Sequence, residues 1–171
     1  MYDILVLATG SKALLPKVVP GHDAAGVFVY RTITDLQNLI AFSATKKGTT
    51  GIVVGGGLLG LEAAKAMMDL NEFGKVKVIE SIPYVLGRQV DAEGGAMVVE
   101  QVRDLGVDVI LGNMVNRILP DENHNVTGVE FKDGDTVEGA CVCFAVYFCA
   151  SSYLLHGSND RNRLESHPAT T

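Results

Sequence analysis

Clustered positive charge is scarce in this sequence. Its 171 residues contain 14 Lys+Arg against 20 Asp+Glu, a net charge of −6, and the only adjacent pair of cations is Lys46-Lys47. Nucleic acids and anionic membranes are bound through clustered Lys and Arg side chains. The charge pattern therefore argues against both as partners.

Long apolar runs and cysteine pairs are also missing. The longest run, residues 140–150, is far short of the roughly 20 residues that span a bilayer. The start, Met1-Tyr2-Asp3, lacks the positive charge of a secretory signal. We therefore expect a soluble, cytoplasmic protein without a membrane partner. The run holds all three cysteines, Cys141, Cys143 and Cys149. They form no Cys-x-x-Cys pair and have no metal-ligand spacing, so we expect unpaired thiols and no metal site.

The hydrophobic fraction of 47% is enough for a globular core. Apolar runs and helical periodicity predict strands alternating with helices, followed by an antiparallel meander. The predicted strands are 4–8, 27–30, 52–54, 76–80, 107–111, 115–119, 126–131 and 141–148, and the predicted helices are 35–45, 61–70 and 92–105. Thr32 and Asp91 are candidate N-caps, and Asp133-Gly134 predicts a hairpin turn. This order indicates an α/β fold with helical crossovers and parallel strands.

A glycine motif, Gly-x-Gly-x-x-Gly, lies between a predicted strand and a predicted helix at residues 55–60. In dinucleotide-binding folds the first glycine permits a tight turn, the second lets a pyrophosphate approach backbone N–H groups, and the third allows close packing of the helix. The N-terminus of the helix adds a partial positive charge. The motif therefore predicts a nucleotide site; the alternative is a glycine turn with a purely structural role.

A carboxylate at the end of the next predicted strand completes this pattern. Glu80 follows Gly60 by twenty residues, where it can accept hydrogen bonds from both ribose hydroxyls of an adenosine. Its charge would repel a 2′-phosphate, and neither Ser81 nor Ile82 supplies a compensating cation, so NAD is favoured over NADP. Arg88 is close enough along the chain to keep NADP open.

Several segments together resemble the pyridine-nucleotide-dependent flavoprotein oxidoreductases. They are residues 2–11, 29–35, 55–64 and 87–91, within a resemblance that covers about residues 1–146. Residues 56–64 with Arg88-Gln89 are especially similar to the FAD/NAD(P)H-binding part of assimilatory nitrite reductase large subunits, enzymes of nitrate assimilation. Rubredoxin-reductase-like and ferredoxin-reductase-like flavoenzymes are the alternative within the family. The resemblance implies that a hydride passes from NAD(P)H to FAD.

The resemblance also implies roles for individual residues. Thr9 and Gly10 would lie near the adenosine side of FAD, and Glu62 would lie near nicotinamide and flavin as the candidate catalytic residue. The NAD(P)H contacts would come from Gly55, Gly56, Gly57, Leu58, Leu59, Gly60, Glu80 and Arg88.

Simpler interpretations of these residues stay open. Glu62 can be a solvated helix carboxylate paired with Lys65. Thr9 can be a residue that ends a strand. Arg31 and Arg88 can be solvated or paired arginines.

The family's fold is a Rossmann-like three-layer NAD(P)-binding domain with an antiparallel β-meander, inserted into a FAD-binding domain. Transferred to this chain, residues 1–48 would be a remnant of the FAD-binding domain and its connection, 49–150 the NAD(P)H-binding domain, and 151–171 a disordered tail. The FAD motifs of the family are not found in the sequence, and the pattern departs from the family after about Val146. We therefore expect a fragment that does not retain FAD, with the missing FAD-domain and sirohaem-domain portions of a parent chain as partners.

Two functions follow as hypotheses. The first is an NAD(P)H-binding module of a FAD-dependent oxidoreductase that resembles nitrite reductase. The second is a nucleotide-binding fragment without catalytic activity.

Overall fold

The structure is a computed structural model that describes Val6 and residues 11–13, 15–146 and 148–150. The helices are α1 (Ile33–Ser43), α2 (Leu58–Asp69) and α3 (Ala92–Asp104). The strands are β1 (Ser11–Ala13), β2 (Val27–Val29), β3 (Thr50–Val54), β4 (Lys75–Glu80), β5 (Val107–Leu111), β6 (Val115–Pro120), β7 (Val126–Phe131), β8 (Thr136–Glu138), β9 (Cys141–Phe144) and β10 (Phe148–Ala150).

A parallel sheet of five strands forms the centre of the fold, in the order β2-β9-β3-β4-β5. Every neighbouring pair in it is parallel, which confirms the predicted pairing of the strands that flank α2 and α3. Within this register Val53 of β3 lies between Val78 of β4 and Cys143 of β9. The carboxyl ends of all five strands therefore share one edge of the sheet.

Helices cover one face of this sheet and the meander covers the other. On the helix face, Val53 and Val78 pack in one buried cluster with Leu39 of α1, Met67 of α2 and Val99 of α3. On the opposite face a second cluster joins the sheet to the antiparallel meander β6-β7-β8, through Ile52, Ile79, Val142, Ile118 and Val129. The α/β fold of three layers, with its antiparallel meander, is therefore confirmed.

Capping residues fix the helix boundaries. Thr32 caps α1 with reciprocal bonds to Asp35, so α1 begins at Ile33, two residues before the predicted start. Gly57 is the N-cap of α2, so this helix begins at Leu58 rather than at residue 61. Asp91 accepts a hydrogen bond from the Gly94 N–H at 2.9 Å, as expected for the cap of α3.

The predicted strand 141–148 is wrong in its second half. β9 ends at Phe144, because its neighbour β3 ends at Val54 and the last bond between them runs from the Ala145 N–H to the Val54 carbonyl. β10 belongs instead to a separate antiparallel pair with β1, which the sequence did not predict.

Some predictions fall on parts of the chain that are not described. Of the predicted strand 4–8 only Val6 is described; it lies outside any strand and is 80% exposed. The predicted tail 151–171 lies outside the described residues. The domain boundary at residue 48 stays a prediction; β2 and α1 precede it and belong to the parallel sheet and its helix layer.

Candidate nucleotide-binding site

The glycine turn begins where β3 ends, at the carboxyl edge of the parallel sheet. Gly55 has a φ of +116°, a backbone conformation that favours glycine. A β-carbon there would lie 2.8 Å from the Ala145 carbonyl oxygen. The Gly55 N–H donates to the Ile79 carbonyl at 2.8 Å, which ties the turn to β4. Gly55 therefore makes the tight turn that the motif predicts.

Gly60 lies in the first turn of α2, against the start of the same glycine turn. A β-carbon on Gly60 would lie 1.8 Å from the Gly55 carbonyl oxygen and 2.8 Å from its carbonyl carbon. Both distances are too short for any side chain, because the obstacle is backbone. The helix is thus packed on the turn as closely as the third glycine of the motif predicts.

The space in front of Gly57 is open: apart from the local backbone and the neighbouring residues in the chain, no heavy atom of the described residues lies within 4 Å of a β-carbon built there. No side chain caps α2, and its first turn holds no acidic residue. The first helical bond runs from the Leu61 N–H to the Gly57 carbonyl at 3.0 Å. The N–H groups of Leu58, Leu59 and Gly60 therefore precede the helical hydrogen-bond ladder. With the helix dipole they form an end of α2 that suits an anion.

Glu80 ends β4 beside this turn, and three donors hold its carboxylate. Oε2 accepts the Gly56 N–H at 2.7 Å, and Oε1 accepts the Ser81 hydroxyl at 3.0 Å and the Ile82 N–H at 3.1 Å. A carboxylate has about four lone-pair positions, so about one is left for a ligand. For Glu80 to accept both ribose hydroxyls, as expected from the sequence, the Ser81 hydroxyl must therefore rotate away from Oε1.

The segment between β4 and α3 closes one side of the turn. The Leu86 N–H donates to the Gly56 carbonyl at 2.9 Å, and Val85 is fully buried. Arg88 follows Leu86 by two residues and is exposed. Sequence reasoning missed the contact of this segment with the turn. The signal for it was the apolar run Tyr84-Val85-Leu86 inside a connection between two elements.

Glu62 lies in α2, one turn after its first residue Leu58, and is exposed. Lys65 forms its ion pair with Asp69, so the alternative pairing of Lys65 with Glu62 is not formed. Tyr30, directly after β2, is near Glu62: burial and then the charges of Glu62 and Cys143 raise the pKa of Tyr30. Tyr30 was not among the predicted site residues, and its position directly after a parallel strand is the signal that could have found it.

Of the remaining predicted residues, Leu58, Leu59 and Arg31 are described by the structure. Leu58 is 61% exposed beside the open space at Gly57, whereas Leu59 is half-buried. Arg31 follows β2 and is exposed. Thr9 and Gly10 lie outside the described residues. The structure thus brings together the glycine turn, Glu80 and the segment that carries Arg88.

The thiols of β9 are far less acidic than an ordinary cysteine. Cys141 and Cys143 are free and buried. Burial, and then the charge of Asp35, raises the pKa of Cys143 to about 12, and burial raises the pKa of Cys141 as well. Within the described ranges no group of three His, Cys, Asp or Glu residues is placed to hold a metal ion. None of the three described helices has the length and apolar character needed to cross a membrane.

Comparison with known proteins assigns this arrangement to a family. The profile of the family described as pyridine nucleotide-disulphide oxidoreductase matches residues 1–165. The chain belongs to that family. The match continues past residue 146, where the resemblance carried by the motifs ends.

Relatives in this oxidoreductase family are much longer than the chain. It is 56% identical over 145 residues to the nitrite reductase NAD(P)H of Emericella nidulans, and 55% identical over 155 residues to that of Neurospora crassa. Each alignment covers 85% of this chain and 13% of the relative. The chain therefore spans about an eighth of the length of these relatives.

Solved structures of the family share the fold. The NAD-dependent persulfide reductase from A. fulgidus superposes with a TM-score of 0.80 at 27% identity. The superposition covers 91% of this chain and 28% of that one. The Rossmann-type architecture is therefore common to both proteins.

Proposed function

We propose that this chain is an NAD(P)H-binding module of a FAD-dependent oxidoreductase. The observation that carries the proposal is the contrast within the glycine turn. Gly60 is closed by backbone at 1.8 Å, whereas Gly57 faces open space at an uncapped helix N-terminus. A turn with a purely structural role has no need of such a space.

The pyrophosphate of the dinucleotide would lie at Gly57 and the N-terminus of α2. There the N–H groups of Leu58, Leu59 and Gly60 donate to phosphate oxygens, and the helix dipole adds to the attraction. Leu58, the residue after Gly57, is 61% exposed. No acidic residue in the first turn of α2 opposes the phosphate charge.

Glu80 would bind the adenosine ribose and favour NADH over NADPH. Its remaining acceptor position takes one ribose hydroxyl directly, and rotation of the Ser81 hydroxyl opens a second. A 2′-phosphate carries between one and two negative charges, so it would be repelled by this carboxylate. Arg88 is the nearest candidate cation in the adjoining segment for any residual affinity for NADPH.

Bound NAD(P)H would supply a hydride to the flavin of a complete enzyme. Glu62 lies in α2, one turn after Leu58, and its charge raises the pKa of Tyr30. We propose that Glu62 is the acidic residue beside the nicotinamide. The nitrite-reducing activity of the fungal relatives is proposed for a parent enzyme only, because the chain spans 13% of their length. Portions that hold FAD and sirohaem would then be its partners.

A ferredoxin-reductase-like parent is the second candidate, since a ferredoxin reductase from Rhodopseudomonas palustris shares the fold with a TM-score of 0.79.

The test is a parallel calorimetric titration of the purified chain with NADH and NADPH, preceded by an absorption spectrum. Saturable NADH binding that exceeds NADPH binding supports the module. Absorption of bound flavin would indicate that the chain keeps FAD, against our expectation. A colourless chain that binds NADH supports the module without its flavin partner. A folded chain that binds neither nucleotide refutes the proposal.

A further inference from the structure

We propose that Glu80 is a positioning residue for the phosphate-binding turn, in addition to its contact with ribose. This inference rests on the proposed nucleotide site. It assigns to Glu80 an effect on groups that never touch the ribose, namely the N–H groups at the start of α2.

The backbone of Gly56 is held on both sides. Its N–H donates to Glu80 Oε2 at 2.7 Å, and its carbonyl accepts from the Leu86 N–H at 2.9 Å. The first contact is a charge-assisted bond that bridges 24 residues of chain and is partly buried. The turn is therefore fixed to the end of β4 on one side and to the following segment on the other.

The aliphatic part of Glu80 also supports the turn. A β-carbon built on Gly56 would lie 3.0 Å from Glu80 Cβ, 3.1 Å from Glu80 Cγ and 3.1 Å from Val85 Cγ1. Glu80 and Val85 thus pack directly against the Gly56 backbone. The residues that follow Gly56 are Gly57 and the first turn of α2, so movement of Gly56 would reorient the proposed phosphate donors.

The carboxylate itself is fixed by two further donors. The Ser81 hydroxyl and the Ile82 N–H both donate to Oε1, which leaves Oε2 directed at Gly56. Glu80 therefore links the turn to the segment after β4 before any ligand arrives. A shorter or neutral apolar side chain at this position loses that link.

The two roles of Glu80 predict opposite effects of its removal on the binding affinity for a ligand without ribose hydroxyls. If Glu80 acts only on the ribose, removal of its negative charge leaves the binding of such a polyanion unchanged or strengthens it. If Glu80 positions the turn, its removal weakens binding, because the phosphate donors lose their fixed orientation. The ligand 2′,3′-dideoxy-ADP carries the pyrophosphate and lacks both hydroxyls.

The experiment measures the affinity of the whole 171-residue chain for 2′,3′-dideoxy-ADP by calorimetry. We expect Glu80→Ala to weaken binding by about tenfold or more, as for loss of a hydrogen bond to a charged group. Glu80→Gln keeps an acceptor for Gly56 and should restore most of the affinity. Glu100→Ala removes an exposed carboxylate from α3 and serves as the matched control for charge. Glu80→Ala that binds as well as the unchanged chain, or better, overturns the inference.

A second variant protects the test against a folding defect. Glu80→Asp keeps the charge but is one methylene shorter, so it cannot reach Gly56 from the same backbone position. Weaker binding of 2′,3′-dideoxy-ADP by this variant supports the positioning role. Unchanged binding by a folded Glu80→Asp refutes it.

Hydrogen exchange at the Gly56 amide separates this inference from the proposed function. If the unchanged chain binds neither NADH nor NADPH, the proposed function fails. In that case faster exchange at Gly56 in Glu80→Asp than in the unchanged chain still supports the link between Glu80 and the turn. Equal exchange in both overturns the link whether or not a nucleotide binds.

Discussion

Gly60 and Gly55 meet so closely that a single β-carbon on Gly60 would lie 1.8 Å from the Gly55 carbonyl oxygen. The contact joins the first turn of α2 to Gly55, the residue that directly follows β3. It therefore fixes how α2 is aimed at the open space in front of Gly57. Two glycines of one motif thus have different physical roles, packing at Gly60 and access at Gly57.

We expect Gly60→Ala to lower the free energy of unfolding by about 1–3 kcal/mol or more, because the added methyl group overlaps backbone. Urea unfolding followed by circular dichroism measures the change. Gly57→Ala is the matched control, since its β-carbon meets nothing within 4 Å. Equal losses for the two variants would contradict the assigned packing.

We expect Glu80→Gln to reduce the preference for NADH over NADPH by about tenfold, since the charge that opposes a 2′-phosphate is removed. The amide still accepts the Gly56 N–H, so the turn is retained. Dissociation constants for both nucleotides, measured in the same buffer, give the ratio. Glu100→Gln should leave that ratio unchanged. A ratio that does not move in Glu80→Gln would show that the carboxylate does not sense the 2′ position.

The N-cap of α3 makes a separate contribution to stability. Asp91→Ala removes the acceptor for the Gly94 N–H, and we expect a loss of about 1 kcal/mol in the free energy of unfolding. Asp91→Asn keeps an oxygen acceptor and should retain most of the stability. Chemical denaturation of the three proteins checks this order. A loss in Asp91→Asn as large as that in Asp91→Ala would assign the effect to charge rather than to the cap.

The buried thiol of Cys143 predicts a loss of stability at high pH. Its pKa is raised from an ordinary 9.0 to about 12, so between these values the unfolded chain releases a proton that the folded chain keeps. The free energy of unfolding therefore falls as the pH rises above 9, by up to about 1.4 kcal/mol per pH unit for this thiol.

Urea unfolding between pH 8 and about pH 10.5 measures this slope, with Cys143→Ala as the comparison. The variant starts from lower stability because it leaves a cavity, but its stability should fall less steeply with pH. Parallel curves for the two proteins would contradict the assigned burial effect.

The sequence predicted the elements whose signals are local. The glycine motif, the Asp91 cap and the Asp133-Gly134 hairpin depend on a few neighbouring residues, and the structure has the turn, the cap and the hairpin at those places. The end of β9 at Phe144 could not be predicted in this way. It depends on where the neighbouring strand β3 ends, which is a property of the assembled sheet.

The site likewise combines features with a local sequence signal and contacts that depend on the assembled fold. The sequence indicated that Glu80 follows the strand after the glycine turn, because that spacing is part of the motif. It did not show that the carboxylate accepts the Gly56 N–H across 24 residues, or that the Leu86 N–H holds the Gly56 carbonyl. Both contacts arise from how the segment between β4 and α3 packs on the turn.

In the proposed function, the open space at Gly57 receives the pyrophosphate of NADH. Calorimetric titration of the chain and of Gly57→Ala with NADH, together with the unfolding free energy of both, tests it most directly. We predict saturable binding by the unchanged chain, and at least about tenfold weaker binding by a variant whose stability differs by less than about 1 kcal/mol. Equal NADH affinity of the two folded proteins, or no binding by either, would contradict the claim.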